Sequence, residues 1–84
     1  MNQKIKTNAQ FGKNLRKLRK MNHLTQEQVA AKLQLMGLDL SRSAYAQIEC
    51  GTYNIRVTEL VALKEIFSTT YDSFFDGIKS ENPK

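Results

Sequence analysis

Apolar residues recur at helical spacing along most of the chain. Over residues 8–21, Phe11, Leu15, Leu18 and Met21 fall in one arc at about 100° per residue, and Lys13, Arg16, Lys17 and Lys20 lie opposite. Asn14 interrupts the apolar arc, and Arg19 stands at its margin. Asn22 and His23 break the pattern. Thr25 then caps a second helix, with Gln28 completing a capping box and Val29, Ala30 and Leu33 forming the inner stripe. Ala30 is small where two helices must cross closely, and Gly37 is a left-handed stop after Met36. Ser41 caps a third helix, and Leu40 and Tyr45 stand at staple positions around that cap. Its buried arc is Ala44, Tyr45 and Ile48; its outward arc is Arg42, Ser43, Ala46, Gln47 and Cys50, and Gly51 ends it. Residues 52–56 read as a loop. A fourth helix over 57–67 turns Leu60, Leu63 and Phe67 inward, and Thr70 caps a short fifth carrying Tyr71, Phe74 and Phe75.

Five short helices and no surviving strand candidate give an all-α bundle. Residues 1–7 read as a flexible basic arm, 8–76 as the folded domain and 77–84 as a flexible polar tail containing the proline. Eighty-four residues allow one small domain with a limited core. No apolar run approaches the roughly 20 residues of a spanning helix, and the basic N-terminal stretch lacks the apolar segment of a secretory signal. A single cysteine excludes an internal disulfide framework and fits a reducing cytoplasm.

Charge changes the picture. Ten of the thirteen Lys/Arg residues lie in 1–56, against only Glu27, Asp39 and Glu49 of the eight acids, so a basic front faces a mildly acidic back. Such a division suits a surface that meets phosphates, although solubilising charge would look similar. The outward arc of the third helix sharpens the reading. An α-helix fits the major groove of double-stranded DNA. There Arg42 can grip guanine O6 and N7, Gln47 can pair with adenine N6 and N7, Ser43 can donate or accept, and Ala46 can touch a thymine methyl. The start of the second helix, with Thr25 and Gln26, favours a phosphate through free backbone N–H groups and the helix dipole. Thr52, Tyr53, Asn54 and Arg56 in the following loop, and Lys17 and Lys20 on the first helix, are further phosphate candidates.

The stretch over residues 25–51 resembles the helix-turn-helix of the lambda-repressor/Cro (XRE) family of bacterial and phage regulators, and the likeness extends more loosely over about 9–75. The resemblance implies a five-helix lambda-repressor-like fold, DNA binding and transcription regulation. It implies base reading by Arg42, Ser43 and Gln47, phosphate anchoring by Thr25, Gln26 and Asn54, and a structural ion pair between Arg19 and Glu49 joining the first helix to the end of the third, with Arg19 as a further phosphate contact the rival reading. It also implies a homodimer on a palindromic operator and occupancy of that operator as the mode of action. With no further domain after residue 77, a minimal regulator, or a DNA-binding subunit that answers to concentration or to a partner, is expected.

One departure stands out. Seven residues, 34–40, separate Leu33 from the cap of the third helix, where the tight motif has only a few. An extra turn ending at Gly37 accounts for them, leaving Leu35, Met36 and Leu38 either to plug the bundle or to meet a partner. Those residues and the acidic C-terminal segment support an alternative, a protein-interaction module such as an antitoxin-type or adaptor subunit. Tyr71, Phe74 and Phe75 either form a dimer patch or close the core. His23 has no second ligand at metal spacing, so no metal or cofactor is expected. Cys50 reads as a tolerated small residue, with an oxidation sensor as the minor alternative. No nucleophile, base and metal assemble into an enzyme site.

Overall fold

The computed structural model describes residues 4–79. Its elements run β1 (Lys4–Lys6), α1 (Ala9–Met21), α2 (Gln26–Leu35), α3 (Arg42–Cys50), β2 (Asn54–Arg56), α4 (Val57–Ile66) and α5 (Tyr71–Phe74). The five expected helices are present, each starting where its sequence supplies a start signal. Asn8 accepts from the Phe11 amide at 2.8 Å, and Ser41 accepts from the Ala44 amide at 3.1 Å. Thr25 and Gln28 form the reciprocal capping box.

The helix ends follow local chemistry as well. Gly37 at φ +86° lets the Gly37 and Leu38 amides reach back to the Gln34 and Leu33 carbonyls. Gly51 at φ +79° does the same for the Ile48 and Gln47 carbonyls, through its own amide and that of Thr52. Both are Schellman closures. The first absorbs the long link: Leu38 packs against the core and Leu40 is buried, while Leu35 and Met36 stay exposed.

Three expectations fail. Residues 52–56 are not all loop, and 1–7 are not all a loose arm. Asn54–Arg56 and Lys4–Lys6 pair antiparallel, with Ile5 opposite Ile55, Lys4 opposite Arg56 and Lys6 opposite Asn54. A three-residue strand is too short to show a period of two, and its partner lies about fifty positions away, so local pattern carries no trace of it. The fold remains a helical bundle with this small ribbon attached. Met21 is the third miss: it continues the apolar arc by spacing but lies at the last turn of α1, 64 % exposed. Residues 77–79 are described, with Ile78 packed on the core, and the remainder of the expected tail lies outside the described residues.

The core gathers Phe11, Leu15, Val29, Leu33, Tyr45, Ile48, Ile55, Leu63 and Phe74 from every helix and from β2. Asn14, the blemish in the apolar arc, is a fastener. Its amide donates to the Phe74 and Asp76 carbonyls, both at 2.8 Å, and so ties α5 to α1. Glu59 is buried too, accepting from the Arg56 amide at 2.9 Å as the far half of the α4 cap.

Gly12 sets how closely α1 approaches α3. A β-carbon there would collide with the Glu49 and Ile48 carbonyl oxygens, which are backbone and cannot swing aside. Gly12→Ala should therefore lower stability by about 2 kcal/mol or more, even though alanine is the better helix former. Urea unfolding checks this, and an unchanged or higher midpoint would show that the crossing can relax.

Candidate nucleic-acid interface

The apolar residues of α3 determine which residues it offers to solvent. Tyr45 and Ile48 are buried, so Arg42, Ser43, Gln47 and Cys50 are turned out, with Ala46 half-buried between them. The helix is held in that rotation by charge. Arg19 on α1 donates to Glu49 through Nε at 2.7 Å and Nη2 at 3.1 Å, and its Nη1 donates to the Leu24 carbonyl at 2.9 Å. Gln26 at the start of α2 donates to the same carboxylate at 3.0 Å. One carboxylate on α3 thus gathers α1 and α2. The pair is largely buried, with side-chain exposures of 12 % for Arg19 and 4 % for Glu49.

Burial alone would raise the Glu49 pKa. The hydrogen bond from Arg19 leads the opposing effects, and together they hold the carboxyl below its ordinary value. The hydrogen bond to Glu49 likewise raises Arg19 above its usual value, against its own desolvation. The Tyr45 hydroxyl lies buried near this pair with no hydrogen-bond partner among the described residues. Burial first, and then the Glu49 carboxylate, push its pKa upward.

Beside the pair, α1, the start of α2 and α3 enclose a cleft of about 680 Å³ lined by Arg16, Arg19, Thr25, Gln26, Glu27, Arg42, Ala46, Glu49 and Cys50. Four of the DNA-contact candidates named from sequence, Thr25, Gln26, Arg42 and Ala46, therefore share one recess with the Arg19–Glu49 pair. The Thr25 hydroxyl takes the Gln28 amide, leaving the first-turn amides of Gln26 and Glu27 without an intrahelical acceptor. Glu27 is the one acid in the recess whose charge has no ion-pair partner among the described residues.

The remaining candidates separate. Ser43 and Gln47 are exposed on α3, and Thr52 is fastened beyond them, its amide and hydroxyl donating to the Gln47 carbonyl at 3.0 and 3.3 Å. Asn54 is exposed on β2. Tyr53 and Arg56 are drawn into the fold. Tyr53 packs against the core, its pKa raised by burial and then by Glu59, and its carbonyl accepts from Thr7. The Arg56 guanidinium reaches Glu59 at 3.4 Å. Lys17 and Lys20 lie on an exposed basic strip of α1 with Lys13 and Arg16, and Lys17 also borders a hollow containing Asp72 and Asp76. His23 sits exposed in a turn at φ 58°, and no cluster of three or more metal-ligating side chains occurs among the described residues.

Arg16 is the residue that sequence reasoning passed over. It lines the cleft beside Arg42 and Gln26. Its spacing of three from Arg19 put both on one side of α1, and that was the available signal.

Residues 15–74 match the protein-family model described as Helix-turn-helix. No curated protein matches the chain.

The Glu49 site makes stability depend on pH. Its folded pKa is depressed, so the contribution is complete above the unfolded carboxyl value of about 4.3. It is lost as pH falls through the lower folded value. Glu49→Gln should flatten that acid limb and, by stranding Arg19, cost about 3 kcal/mol near neutral pH. Unfolding free energies measured from pH 7 to pH 3 test both; an unaltered acid limb in the variant would exclude Glu49 as its source.

Proposed function

The chain belongs to the helix-turn-helix family of lambda-repressor/Cro (XRE) type, whose members are DNA-binding transcription regulators, and from that premise we propose that it binds double-stranded DNA sequence-specifically and acts, repressor-like, by occupying an operator. The observation that carries this reading is the exposed polar arc of α3 standing beside a recess where Arg16, Thr25, Gln26 and Arg42 converge. In the proposed complex α3 lies in the major groove. Arg42, Ser43, Ala46 and Gln47 face base edges; Thr25, Gln26, Thr52 and Asn54 meet phosphates, joined by Arg16 and Lys20. Glu27 repels a phosphate on its own side of the recess and so narrows the positions the backbone can take. The DNA-binding unit is residues 8–76, with β1 attached.

A homodimer on a palindrome, with half-sites about 34–36 Å apart, completes the proposal. Phe74 is fully buried and belongs to the core, whereas Tyr71 and Phe75 are 39 % and 42 % exposed, which supports α5 as the place where two copies meet. The rival reading, a protein-interaction module, draws its support from Leu35 and Met36 at the end of α2, 88 % and 45 % exposed. Salt separates the two, because returning counterions weaken a phosphate contact far more than an apolar one.

Selection of bound duplexes from a random pool at two salt concentrations is the direct test. The wild type should enrich a short palindromic site. Arg42→Ala should lose roughly 1–3 kcal/mol on that site and relax the choice at one base of each half-site. Enrichment of no sequence, or an equal loss by Arg42→Ala on every sequence, would refute base reading by this arc.

Arg16→Gln should instead weaken binding equally on all sequences and reduce the slope of log affinity against log salt by about one per protomer. An unchanged slope removes Arg16 from the footprint.

A further inference from the structure

The pairing of β1 with β2 assembles a second basic surface, one that the helix-turn-helix does not contain. Side chains alternate across a strand. Ile5 and Ile55 are paired and turn toward the core, Ile55 completely buried and Ile5 partly so. Lys4, Lys6, Asn54 and Arg56 therefore share the opposite face. Arg56 is engaged by Glu59. Lys4, Lys6 and Asn54 are exposed, and neither lysine forms an ion pair among the described residues.

The position of this face gives it meaning. β2 begins only four residues after α3 ends. Thr52 is fastened to the Gln47 carbonyl, and Thr7 donates to the Tyr53 carbonyl. A β-carbon on Gly51 would strike the backbone of Asn8 and Ala9, so the segment leading from β1 into α1 lies directly against the end of α3. The ribbon is thus held at the C-terminal end of the reading arc, and the recess with Gln26 and Arg42 borders its start. A helix lying in a groove has a phosphate backbone along each side. Lys4 and Lys6 stand about 6.8 Å apart along the strand, close to the step between successive phosphates of one DNA strand. Lysine on an edge strand also discourages edge-to-edge association. That purpose, however, would not require the ribbon to be fixed beside the reading helix.

We propose that Lys4 and Lys6, with Asn54 beside them on the outer face of the β1–β2 ribbon, bind DNA phosphates flanking the site read by α3. The protein's footprint then extends past the helix-turn-helix through a segment that precedes the family-matched residues. The inference rests on the DNA-binding reading above. The lysines act as point charges, so they add affinity without choosing bases.

The test is a salt titration of binding to a fluorescein-labelled duplex carrying the site that the wild type selects, and to a scrambled duplex. The double variant Lys4→Gln/Lys6→Gln should bind both more weakly by the same factor. Its salt slope should fall by about two per protomer, and the single variant Lys6→Gln by about one. The selected sequence should not change. Lys4→Arg/Lys6→Arg should keep the wild-type slope, as should Lys32→Gln, which removes a charge from the exposed side of α2. A folded double variant with the wild-type slope would overturn the proposal. So would a Lys32→Gln slope that falls as far per charge, because the effect would then be one of total charge. Wild-type protein that selects no sequence and shows no salt-dependent binding would mark failure of the DNA-binding reading itself, whereas normal selection with an unchanged slope in the double variant strikes the ribbon alone.

Discussion

The Glu49 carboxylate is the point on which the arrangement of this molecule turns. It sits on α3, is clamped by the two-pronged guanidinium of Arg19 from α1, and accepts a third bond from Gln26 at the start of α2. Desolvating both charges is costly, and a well-packed apolar pair of similar volume would often be as stable. What the ion pair adds is direction. Tyr45 and Ile48 are the two buried residues among the nine of α3, and the ion pair adds a directional contact to that apolar anchoring. The planar fork of Arg19 donates to the carboxylate in one geometry, and Gly12 lets the backbones of α1 and α3 approach closely. Rotation and spacing of α3 are thereby set by two different contacts. The same carboxylate ties Gln26, a proposed phosphate contact, to the proposed reading helix, so the two cannot shift independently.

The long link between α2 and α3 is folded back onto the core by local contacts. The Schellman closure at Gly37 ends α2 cleanly, Leu38 turns back onto the core, and Gln34 donates to the Leu40 carbonyl at 3.3 Å. Leu40 is then buried immediately before the Ser41 cap, so α3 starts from an anchored residue. The extra length is absorbed within the loop, and its visible consequence is the exposure of Leu35 and Met36.

How much of this could be read from the chain depended on the range of the interaction. Caps, glycine stops and apolar arcs are encoded within a few residues, and the five helices follow from them. The ribbon could not be read, because its two strands gain their meaning only from each other. Gly12 looks like a weak spot in a helix until the carbonyl oxygens of α3 are seen above it. Glu59 looks like a surface acid until its bond to the Arg56 amide is seen, and that bond explains why Arg56 is not simply a free cation of the loop. Among the candidate site residues, the exposure of Arg42, Ser43 and Gln47 was legible because Tyr45 and Ile48 mark the buried side of α3. Arg16 was harder to single out: among the four basic residues on one side of α1 only its three-residue spacing from Arg19 sets it apart, and the structure places it in the recess.

Charge placement completes the picture at the scale of the whole domain. Because Arg19 offsets Glu49 inside the fold, the recess presents Arg16 and Arg42 against the single unpaired acid Glu27. Lys13, Lys17 and Lys20 continue the positive surface along α1, and Lys4 and Lys6 supply another at the end of α3. Asp72 and Asp76 stand together around the hollow between α1 and α5, and Glu65 lies beside Leu35 and Ile66. This distribution favours approach of a polyanion on the side of α3 over the side of Asp72 and Asp76, over distances of about one Debye length. In the proposed complex the field would select the face, phosphate contacts would set the position along the duplex, and the short arc of Arg42, Ser43, Ala46 and Gln47 would then have bases within reach. On that proposal a small reading surface suffices, because most of the orientation would come from charges that carry no sequence information.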